Sequence, residues 1–339
     1  FHSVFARILR SEADKLGYPS NFTIYDTQDS DRLLSSIIKE MGLEKDVYKT
    51  KQVRSRISAF KNSLITVRAY YNDTDLQESD AMSRRPKMGE IYKEYVDRCF
   101  KAGAMDFDDL LLKTNQLLNS YPDTLSKYQN IFKYILVDEY QDTNFIQSKW
   151  LNLLSEKNKN ICCVGDDDQS IYSWRGAEIK NFLEFDQVYK NTKVIRLEQN
   201  YRSSQDILTV ASNLISNNQN RVGKTLITTM DEGDLVKLNC FKNGKDEAVG
   251  VSDEIEKNIK KKFSYNNIAI LVRAIFQTRE FEERFLKIGM PYRILGGTKF
   301  YERAEIKDCV AYLRLINQEK DDLAFERIVN NPKRSLGDS

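Results

Sequence analysis

The sequence predicts an α/β protein in which parallel sheets are combined with a helical region. Short apolar runs alternate with helical patterns after about residue 130. Short buried strands separated by helices are typical of parallel sheets that are covered on both faces. Before that point, the apolar residues mainly follow the spacing of amphipathic helices. The helical part is therefore predicted to precede most of the sheet.

The first 130 residues are predicted to be mainly helical. Residues 31–41 carry one apolar stripe, made of Leu33, Leu34, Ile37, Ile38 and Met41. Residues 55–64 repeat the pattern, and three basic side chains outside the stripe are predicted to lie on the surface: Arg54, Arg56 and Lys61. A further helix is predicted over 91–100. The polar stretch 72–89 is predicted to be a mobile loop.

The later part of the chain predicts strands and helices in alternation. Strands are predicted at 134–137, 161–164 and 194–197, with helices over 145–154 and 177–185. A helix over 205–216 follows, and then three more strand candidates, at 235–241, 268–273 and 292–295. A second α/β unit is therefore predicted to begin near residue 198.

Composition excludes several classes of protein. Of 339 residues, 41% are hydrophobic and 30% charged, which excludes wholesale disorder. The net charge of +2 gives no overall attraction for nucleic acid, so any polyanion site must be local. The single histidine, His2, excludes a histidine-rich metal site. Five cysteines without C-x-x-C spacing predict free thiols in a reducing compartment, and we expect a cytoplasmic protein. The apolar runs are too short for a membrane helix, so no membrane partner is expected.

Two adjacent carboxylates follow the first predicted strand of the sheet. Asp138 and Glu139 come directly after an apolar run, where open α/β sheets bind their ligands. In nucleotide hydrolysis one carboxylate holds Mg²⁺ and another activates the attacking water. An acidic turn with no catalytic role is the alternative for such a pair. The following Gln141 and Asp142 favour the functional interpretation.

The next predicted strand ends in a second polar motif. Gly165 permits a tight turn, three aspartates follow at 166–168, and Gln169 is an uncharged donor suited to a terminal phosphate. Two aromatic rings and a cation then lie within four residues: Tyr172, Trp174 and Arg175. Such groups stack on exposed bases. Packing in the core is the alternative for the two aromatic residues, and the preceding carboxylate motif favours base stacking.

A third motif, residues 197–204, contains Tyr201 and Arg202 and is uninformative alone. In this order, however, the three motifs resemble motifs II, III and IV of the superfamily 1 DNA helicases of the UvrD/PcrA/Rep type. Three other segments resemble parts of the same family, namely Phe1-His2-Ser3, 106–110 and 295–308. The resemblance extends over nearly the whole chain.

The resemblance implies RecA-like parallel-sheet cores of the P-loop NTPase type, with ATP and Mg²⁺ as cofactors. Asp138 would coordinate Mg²⁺, and Glu139 would activate the attacking water. Gln169 would contact the γ-phosphate, Tyr201 would stack on adenine, and Arg202 would be an arginine finger. These five residues are the expected nucleotide site.

The resemblance also implies a DNA track and a direction of movement. Phe1, His2, Tyr172 and Trp174 would lie along single-stranded DNA, with Arg175 a weaker candidate. Binding and hydrolysis of ATP would move the enzyme 3′ to 5′ along one strand. Expected partners are single-stranded DNA and single/double-strand junctions, together with repair or replication proteins.

The resemblance predicts a division into domains. The first RecA-like core would comprise 1–12 and 104–197, on either side of a helical accessory insertion at 13–103. Residues 198–301 would form the first part of a second core. Residues 302–339 would begin a second accessory insertion. Arg54, Arg56 and Lys61 of the helical insertion are possible duplex contacts, although a solvated helix face is the favoured alternative.

The chain also departs from the family pattern. A phosphate loop has the form G-x-x-x-x-G-K-[ST], but the only Gly-Lys-Thr here is Gly223-Lys224-Thr225, which lacks the first glycine and is predicted to be a structural turn. We therefore expect the true loop upstream of Phe1, and motifs V and VI after Ser339, in a longer chain. Ser335 replaces a glycine common in the family, which puts phosphate contact by that turn in doubt. An ATPase-inactive DNA-binding or scaffold module is the alternative function.

Overall fold

The computed structural model describes residues 1–219, 221–296 and 303–336, and they form two compact units. The first unit comprises the described residues of Phe1–Leu197, Ile215–Thr225 and Asp308–Ser339. The second unit comprises those of Glu198–Leu214 and Leu226–Lys307. The predicted domain boundaries stay predictions. Within the described residues, no helix is both long enough and apolar enough to cross a bilayer.

The described residues are mainly helical, with short strands between the helices. The helices are α1 (His2–Ser11), α2 (Thr27–Glu40), α3 (Thr50–Asn62), α4 (Val67–Tyr71), α5 (Thr74–Met82), α6 (Met88–Lys101), α7 (Phe107–Ser120), α8 (Pro122–Ile131), α9 (Phe145–Ser155), α10 (Lys180–Leu183), α11 (Phe185–Val188), α12 (Gln205–Ile215), α13 (Gly244–Lys260), α14 (Thr278–Ile288), α15 (Ala304–Asn317) and α16 (Asp322–Ile328). The strands are β1 (Thr23–Tyr25), β2 (Ala104–Asp106), β3 (Ile135–Val137), β4 (Ile161–Cys163), β5 (Gln199–Asn200) and β6 (Ile227–Thr228).

The strands of the described residues form three parallel pairs. β1 pairs with β2, β3 with β4, and β5 with β6. The prediction of parallel pairing is confirmed for the strands at 134–137 and 161–164, where Val137 lies opposite Cys163. Each sheet has two strands in the described chain. The α/β class with parallel strands is therefore observed, on a smaller scale than a complete doubly covered sheet.

The first unit contains two large apolar cores, besides a small cluster of Ala311, Ala324 and Ile328. One core joins α1, α7 and α9 through side chains that include Phe5, Leu9, Leu117, Trp150 and Leu151. The other joins α2, α3 and α6, and it contains four of the five residues of the predicted stripe, Leu33, Leu34, Ile37 and Ile38. The helical stripe of residues 31–41 is thereby confirmed as a buried face.

The predicted surface position of Lys61 is wrong, because its side chain is fully buried. Its Nζ lies 2.7 Å from Asp106 Oδ2 and 2.9 Å from Asp109 Oδ1. The Tyr95 hydroxyl also donates to Asp106 Oδ2, at 2.9 Å. Burial alone lowers the pKa of Lys61, but the two carboxylates raise that pKa well above its usual value. Burial of this cation depends on Asp106, which is 45 residues away in the sequence.

The predicted mobile loop at 72–89 is also wrong. Most of this stretch is helical, comprising α5 and the start of α6. The Asp73 side chain caps α5 by accepting from the Leu76 amide at 3.0 Å. The buried Asp80 accepts from Arg56 Nε at 2.9 Å and from the Tyr70 hydroxyl at 3.0 Å. Polar residues therefore order this stretch by capping and ion pairing rather than by apolar packing.

The second unit is built around a helical pair. α13 and α14 pack through a small apolar cluster made of Ala248, Ile255, Phe281, Phe285 and Met290. The predicted helix over 205–216 is confirmed as α12. The short strands β5 and β6 complete the described regular structure of this unit.

Four predicted strands are wrong. Residues 194–197, 235–241, 268–273 and 292–295 are not paired strands, and pairing near the first of them occurs at β5 instead. A β-strand needs a neighbour that exchanges backbone hydrogen bonds with it. Apolar composition predicts an extended chain but does not supply that neighbour, which explains the difference.

Candidate functional site

Two strand ends meet at the centre of the predicted nucleotide site. The Val164 amide donates to the Val137 carbonyl at 2.8 Å, and the Tyr140 amide donates back to the Val164 carbonyl at 3.0 Å. These bonds continue the β3–β4 pairing beyond the last strand residues. The turns that carry Glu139 and Gln169 therefore begin side by side, as the parallel sheet predicts.

Glu139 is held in an uncommon backbone conformation. Its φ is +51°, in the left-handed region that few residues other than glycine adopt. Its amide donates to Asp138 Oδ1 at 3.0 Å, and its Oε2 accepts from Gln141 Nε2 at 2.7 Å. Such strained positions concentrate at functional sites. The strained turn leaves Asp138 and Glu139 exposed at the strand end.

Gln141 links the two turns. Its side chain is almost fully buried, and its Oε1 accepts from the Asp166 amide at 3.0 Å. Gly165 makes room for this contact, because a Cβ atom at that position would lie 2.6 Å from Gln141 Oε1. Sequence reasoning noted Gln141 only as support for the neighbouring carboxylates. The structure shows that one amide side chain bonds to both motifs.

Gln169 lies at the other end of the same hydrogen-bonded path. Its Nε2 donates to Asp166 Oδ2 at 2.8 Å. The path therefore runs from Glu139 through Gln141 to Asp166 and on to Gln169, and we call it the site network. It connects the predicted water-activating carboxylate to the predicted phosphate-contacting amide.

The carboxylate of Asp138 fits a divalent cation better than the acidic turn does, by which we mean Asp166, Asp167 and Asp168. It is an exposed, hard oxygen donor, and within the described residues it forms no ion pair. The oxygens of the acidic turn lie within 4.8 Å of one another, but Asp166 pairs with Lys224 and Asp168 pairs with Arg221. Since the chain's own cations already pair with two of its three carboxylates, Asp138 is the better candidate ligand.

The buried environment also affects Asp142, the last residue of the first motif. Burial, followed by the nearby charge of Glu139, raises the pKa of this carboxyl. Its Oδ1 is buried without a hydrogen-bond partner. Asp142 therefore favours the protonated form more than an exposed aspartate does.

The exposed aromatic residues Phe1 and His2, at the start of α1, and Phe107, at the start of α7, form a first aromatic cluster. The His2 and Phe107 rings meet edge to face, with centroids 6.0 Å apart. Phe1 packs against Phe5 and Trp150, with centroids 5.9 and 6.1 Å apart, so its ring is partly committed to the core. Sequence reasoning did not select Phe107, although its place in the segment 106–110 was a usable signal. Its ring is 47% exposed and available for contact.

Tyr172, Trp174 and Arg175 form a second exposed cluster. The Arg175 guanidinium carbon lies 4.6 Å from the Trp174 ring centroid and 5.0 Å from that of Tyr172. Trp174 is 65% exposed, so the alternative of a core tryptophan is wrong. Two aromatic rings and a cation at the surface are suited to stacking on bases.

Tyr201 and Arg202 belong to the second unit, directly after β5. Both side chains are exposed. The Asn200 side chain orders this turn by accepting from the amides of Arg202 and Ser203, at 2.9 and 2.8 Å. No acidic side chain of the described chain pairs with Arg202. Its guanidinium is therefore not neutralised by an ion pair within that part of the protein.

Comparison with known families covers almost the entire chain. Residues 1–190 match the family model of the UvrD/REP helicase N-terminal domain, and residues 195–339 match that of the UvrD-like helicase C-terminal domain. The chain belongs to the UvrD/REP helicase family. The resemblance inferred from the three motifs is thereby confirmed.

Curated relatives within this helicase family share the full length of the chain. A probable DNA helicase II homolog of Rickettsia felis is 45% identical over 99% of this chain. The ATP-dependent DNA helicase PcrA of Staphylococcus epidermidis is 42% identical over 100% of it, and that of Staphylococcus aureus is 41% identical. The chain spans about half the length of these relatives, 51% for the first and 46% for the other two.

In this UvrD/REP helicase chain, the described structure groups part of the predicted site. It joins Glu139 to Gln169 through the site network, with Asp138 beside Glu139. It gathers the predicted DNA contacts into two exposed aromatic clusters. Tyr201 and Arg202 lie in the other compact unit.

Proposed function

We propose that this chain supplies the hydrolytic and strand-binding parts of an ATP-dependent 3′ to 5′ DNA helicase. The site network is the observation that carries the proposal. It ties a strained, exposed carboxylate at Glu139 to an amide at Gln169 through the Gln141 side chain and then through the backbone amide and the carboxylate of Asp166. Coupling a catalytic base to a phosphate-contacting group is what a motor driven by nucleotide hydrolysis requires.

Each nucleotide-site residue has a defined role in this proposal. Asp138 holds Mg²⁺, which when bound offsets negative charge on the phosphates. Glu139 accepts a proton from the attacking water through the carboxylate oxygen that Gln141 does not occupy. Gln169 orients that water beside the terminal phosphate. Tyr201 stacks on adenine, and Arg202 stabilises charge that develops on the phosphate.

The two aromatic clusters provide the DNA contacts of the proposed helicase. Phe1, His2 and Phe107 contact the strand at one place, and the cluster around Trp174 stacks on bases at another. Exposure of aromatic faces supports these roles, since base stacking needs no sequence-specific hydrogen bond. Single-stranded DNA and single/double-strand junctions are the proposed substrates, with repair or replication proteins as partners.

The proposed activity belongs to a protein of the relatives' full length, of which this chain spans about half. Nucleotide hydrolysis needs a phosphate loop, and the sequence here contains none of the G-x-x-x-x-G-K-[ST] form. The free cysteines of the structure fit a reducing compartment such as the cytoplasm.

Glu139→Gln tests this function in the full-length helicase. The variant keeps the size of the side chain but removes the base, so ATP and DNA binding should persist while DNA-stimulated hydrolysis falls about 10²–10⁴-fold. Phosphate release and DNA affinity measure the two effects. Glu156→Gln, an exposed glutamate after α9, is the matched control and should retain full activity. Near-normal turnover in Glu139→Gln would contradict the proposed function.

An ATPase-inactive DNA-binding or scaffold module is the second candidate. The ion pair between Lys224 and Asp166 favours this candidate. It occupies the lysine of the one Gly-Lys-Thr in the sequence, so that this segment does not serve as a phosphate loop. Full-length protein that binds single-stranded DNA without DNA-stimulated phosphate release would support this candidate. Hydrolysis that depends on Glu139 would exclude it.

A further inference from the structure

The acidic turn after β4 is held by basic residues that sequence analysis left without a role. Arg221 makes a two-point contact with Asp168, with Nη2 at 2.7 Å from Oδ2 and Nε at 2.9 Å from Oδ1. Lys224 pairs with Asp166, and its Nζ lies 3.8 Å from Asp168 Oδ2. Bidentate arginine–carboxylate pairs are among the strongest and most directional ion pairs in proteins. All four side chains are at least three-quarters buried.

The backbone of the same segment completes the contact. The Val222 amide donates to Asp167 Oδ2 at 2.7 Å, so each of the three consecutive aspartates has a partner within residues 221–224. We call these four residues the clip. Gly223 has a φ of +74°, in the region that favours glycine. The Gly-Lys-Thr sequence is irregular backbone, in which Lys224 reaches the acidic residues.

The clip contacts Asp166, the residue that also holds the Gln169 side chain. Asp166 accepts from Gln169 Nε2 at 2.8 Å, and its amide donates to Gln141. Burial alone raises the pKa of Asp166, but hydrogen bonds from Lys224 and Gln169 lower it, which keeps the carboxylate charged. Three adjacent carboxylates without counter-charges would repel one another and open the turn. The orientation of Gln169 therefore depends on cations that are more than fifty residues away in the sequence.

We propose that Arg221 and Lys224 are positioning residues for Gln169. They hold the acidic turn in place, so that the side-chain amide of Gln169 stays connected to Glu139 through the site network. They touch neither nucleotide nor metal in this role. The inference rests on the function proposed above, because it assigns Gln169 to the terminal phosphate. It also gives the acidic turn a structural purpose other than metal binding, since its carboxylates are already paired.

The test compares Arg221→Met, Lys224→Met and the double variant in the full-length helicase. Loss of the clip should lower DNA-stimulated kcat about 10- to 100-fold, because small misplacements of a catalytic-site group have effects of that size. The preference for ATP over ADP, measured with fluorescent nucleotides, should fall while ADP affinity is unchanged. Arg279→Met removes an exposed ion pair in α14 and is the matched control, expected to behave as wild type. Unchanged kcat and nucleotide preference in the double variant would overturn the proposal.

A charge exchange keeps the test decisive if the double variant unfolds. Arg221→Asp combined with Asp168→Arg reverses the pair, and recovery of kcat relative to either single change supports the clip. Failure to recover in a folded exchange variant counts against it. The outcome is separable from that of the function itself: if Glu139→Gln is inactive while the clip variants are normal, only the clip is wrong. If Glu139→Gln hydrolyses ATP normally, the proposed function is wrong.

Discussion

Individual side chains at the proposed site differ in whether neighbouring groups fix them or leave them exposed. Glu139 adopts a left-handed φ of +51°, and the buried side chain of Gln141 donates a hydrogen bond to its carboxylate. Trp174, in contrast, exposes 65% of its surface and is covered on one side by Arg175. Hydrogen bonds therefore pre-organise Glu139 in the proposed nucleotide site, whereas Trp174 of the proposed DNA contacts presents an open ring face. Ser335, where the family commonly has glycine, also has a left-handed φ of +59°.

Trp174→Ala tests the open ring face. Loss of a stacked base should weaken single-strand DNA binding by about 1–3 kcal/mol. Fluorescence anisotropy with a labelled oligonucleotide, repeated across a salt titration, measures this loss in the full-length protein. Tyr134→Ala is the control, because Tyr134 is 77% exposed but lies outside both aromatic clusters. Equal affinity of Trp174→Ala and wild type at every salt concentration would refute the stacking role.

Among the elements, α3 and α7 are joined by a buried ion cluster. Lys61 of α3 reaches Asp106 at the end of β2 and Asp109 in the first turn of α7. Asp106 also caps α7, because its side chain accepts from the Asp109 amide at 2.7 Å. One carboxylate thus ends a strand, begins a helix and binds a buried cation. Burial raises the pKa of Asp109 to about 6, with the neighbouring Asp106 as the second cause.

Lys61→Met tests this junction. Removing the cation leaves two buried carboxylates without compensation, so the free energy of unfolding should fall by about 3–5 kcal/mol. Urea unfolding of the 339-residue chain, followed by circular dichroism, measures the change. Arg54→Met lies on the same helix and removes a partly exposed pair with Asp31, so its cost should be about 0–1 kcal/mol. If the two variants lost similar free energies of unfolding, burial of the Lys61 ion cluster would not be the cause of its contribution to stability.

The net charge of the whole molecule is close to zero because oppositely charged local regions cancel. The net charge of +2 includes acidic loops at Asp138 and at 166–168, and basic side chains such as Arg221 and Lys224, which pair with two of the three aspartates at 166–168. Overall charge therefore says little about nucleic-acid binding by this protein. Local exposure of aromatic rings and of Arg175 is the better indicator.

The 339-residue chain alone should not hydrolyse ATP at a significant rate. Its one Gly-Lys-Thr lies in the clip, where Lys224 is engaged by Asp166 rather than available for phosphate. Phosphate release from the purified chain, with and without single-stranded DNA, should equal that of its own Glu139→Gln variant. DNA-stimulated hydrolysis that this substitution abolishes would show the expectation to be wrong.

Local sequence patterns determined much of this protein. They predicted the helices around residues 31–41 and 145–154, the parallel strands β3 and β4, and the polar turns after those strands. They also identified the family, through Asp138-Glu139, Gln169 and the Tyr201-Arg202 pair. These features depend on residues within a few positions of one another, and side-chain periodicity and motif spacing record such short-range relations.

Only the tertiary structure decided which distant groups meet. It buried Lys61 against Asp106, brought the clip to the acidic turn, and placed Gln141 between Glu139 and Asp166. It also left the strand candidate 235–241 without a strand partner among the described residues. Charge pairing, burial and sheet pairing are long-range relations, and a linear pattern of residue types does not specify the partner. For that reason Lys61 was predicted to be on the surface, and Gly223-Lys224-Thr225 was predicted to be a turn without its electrostatic role.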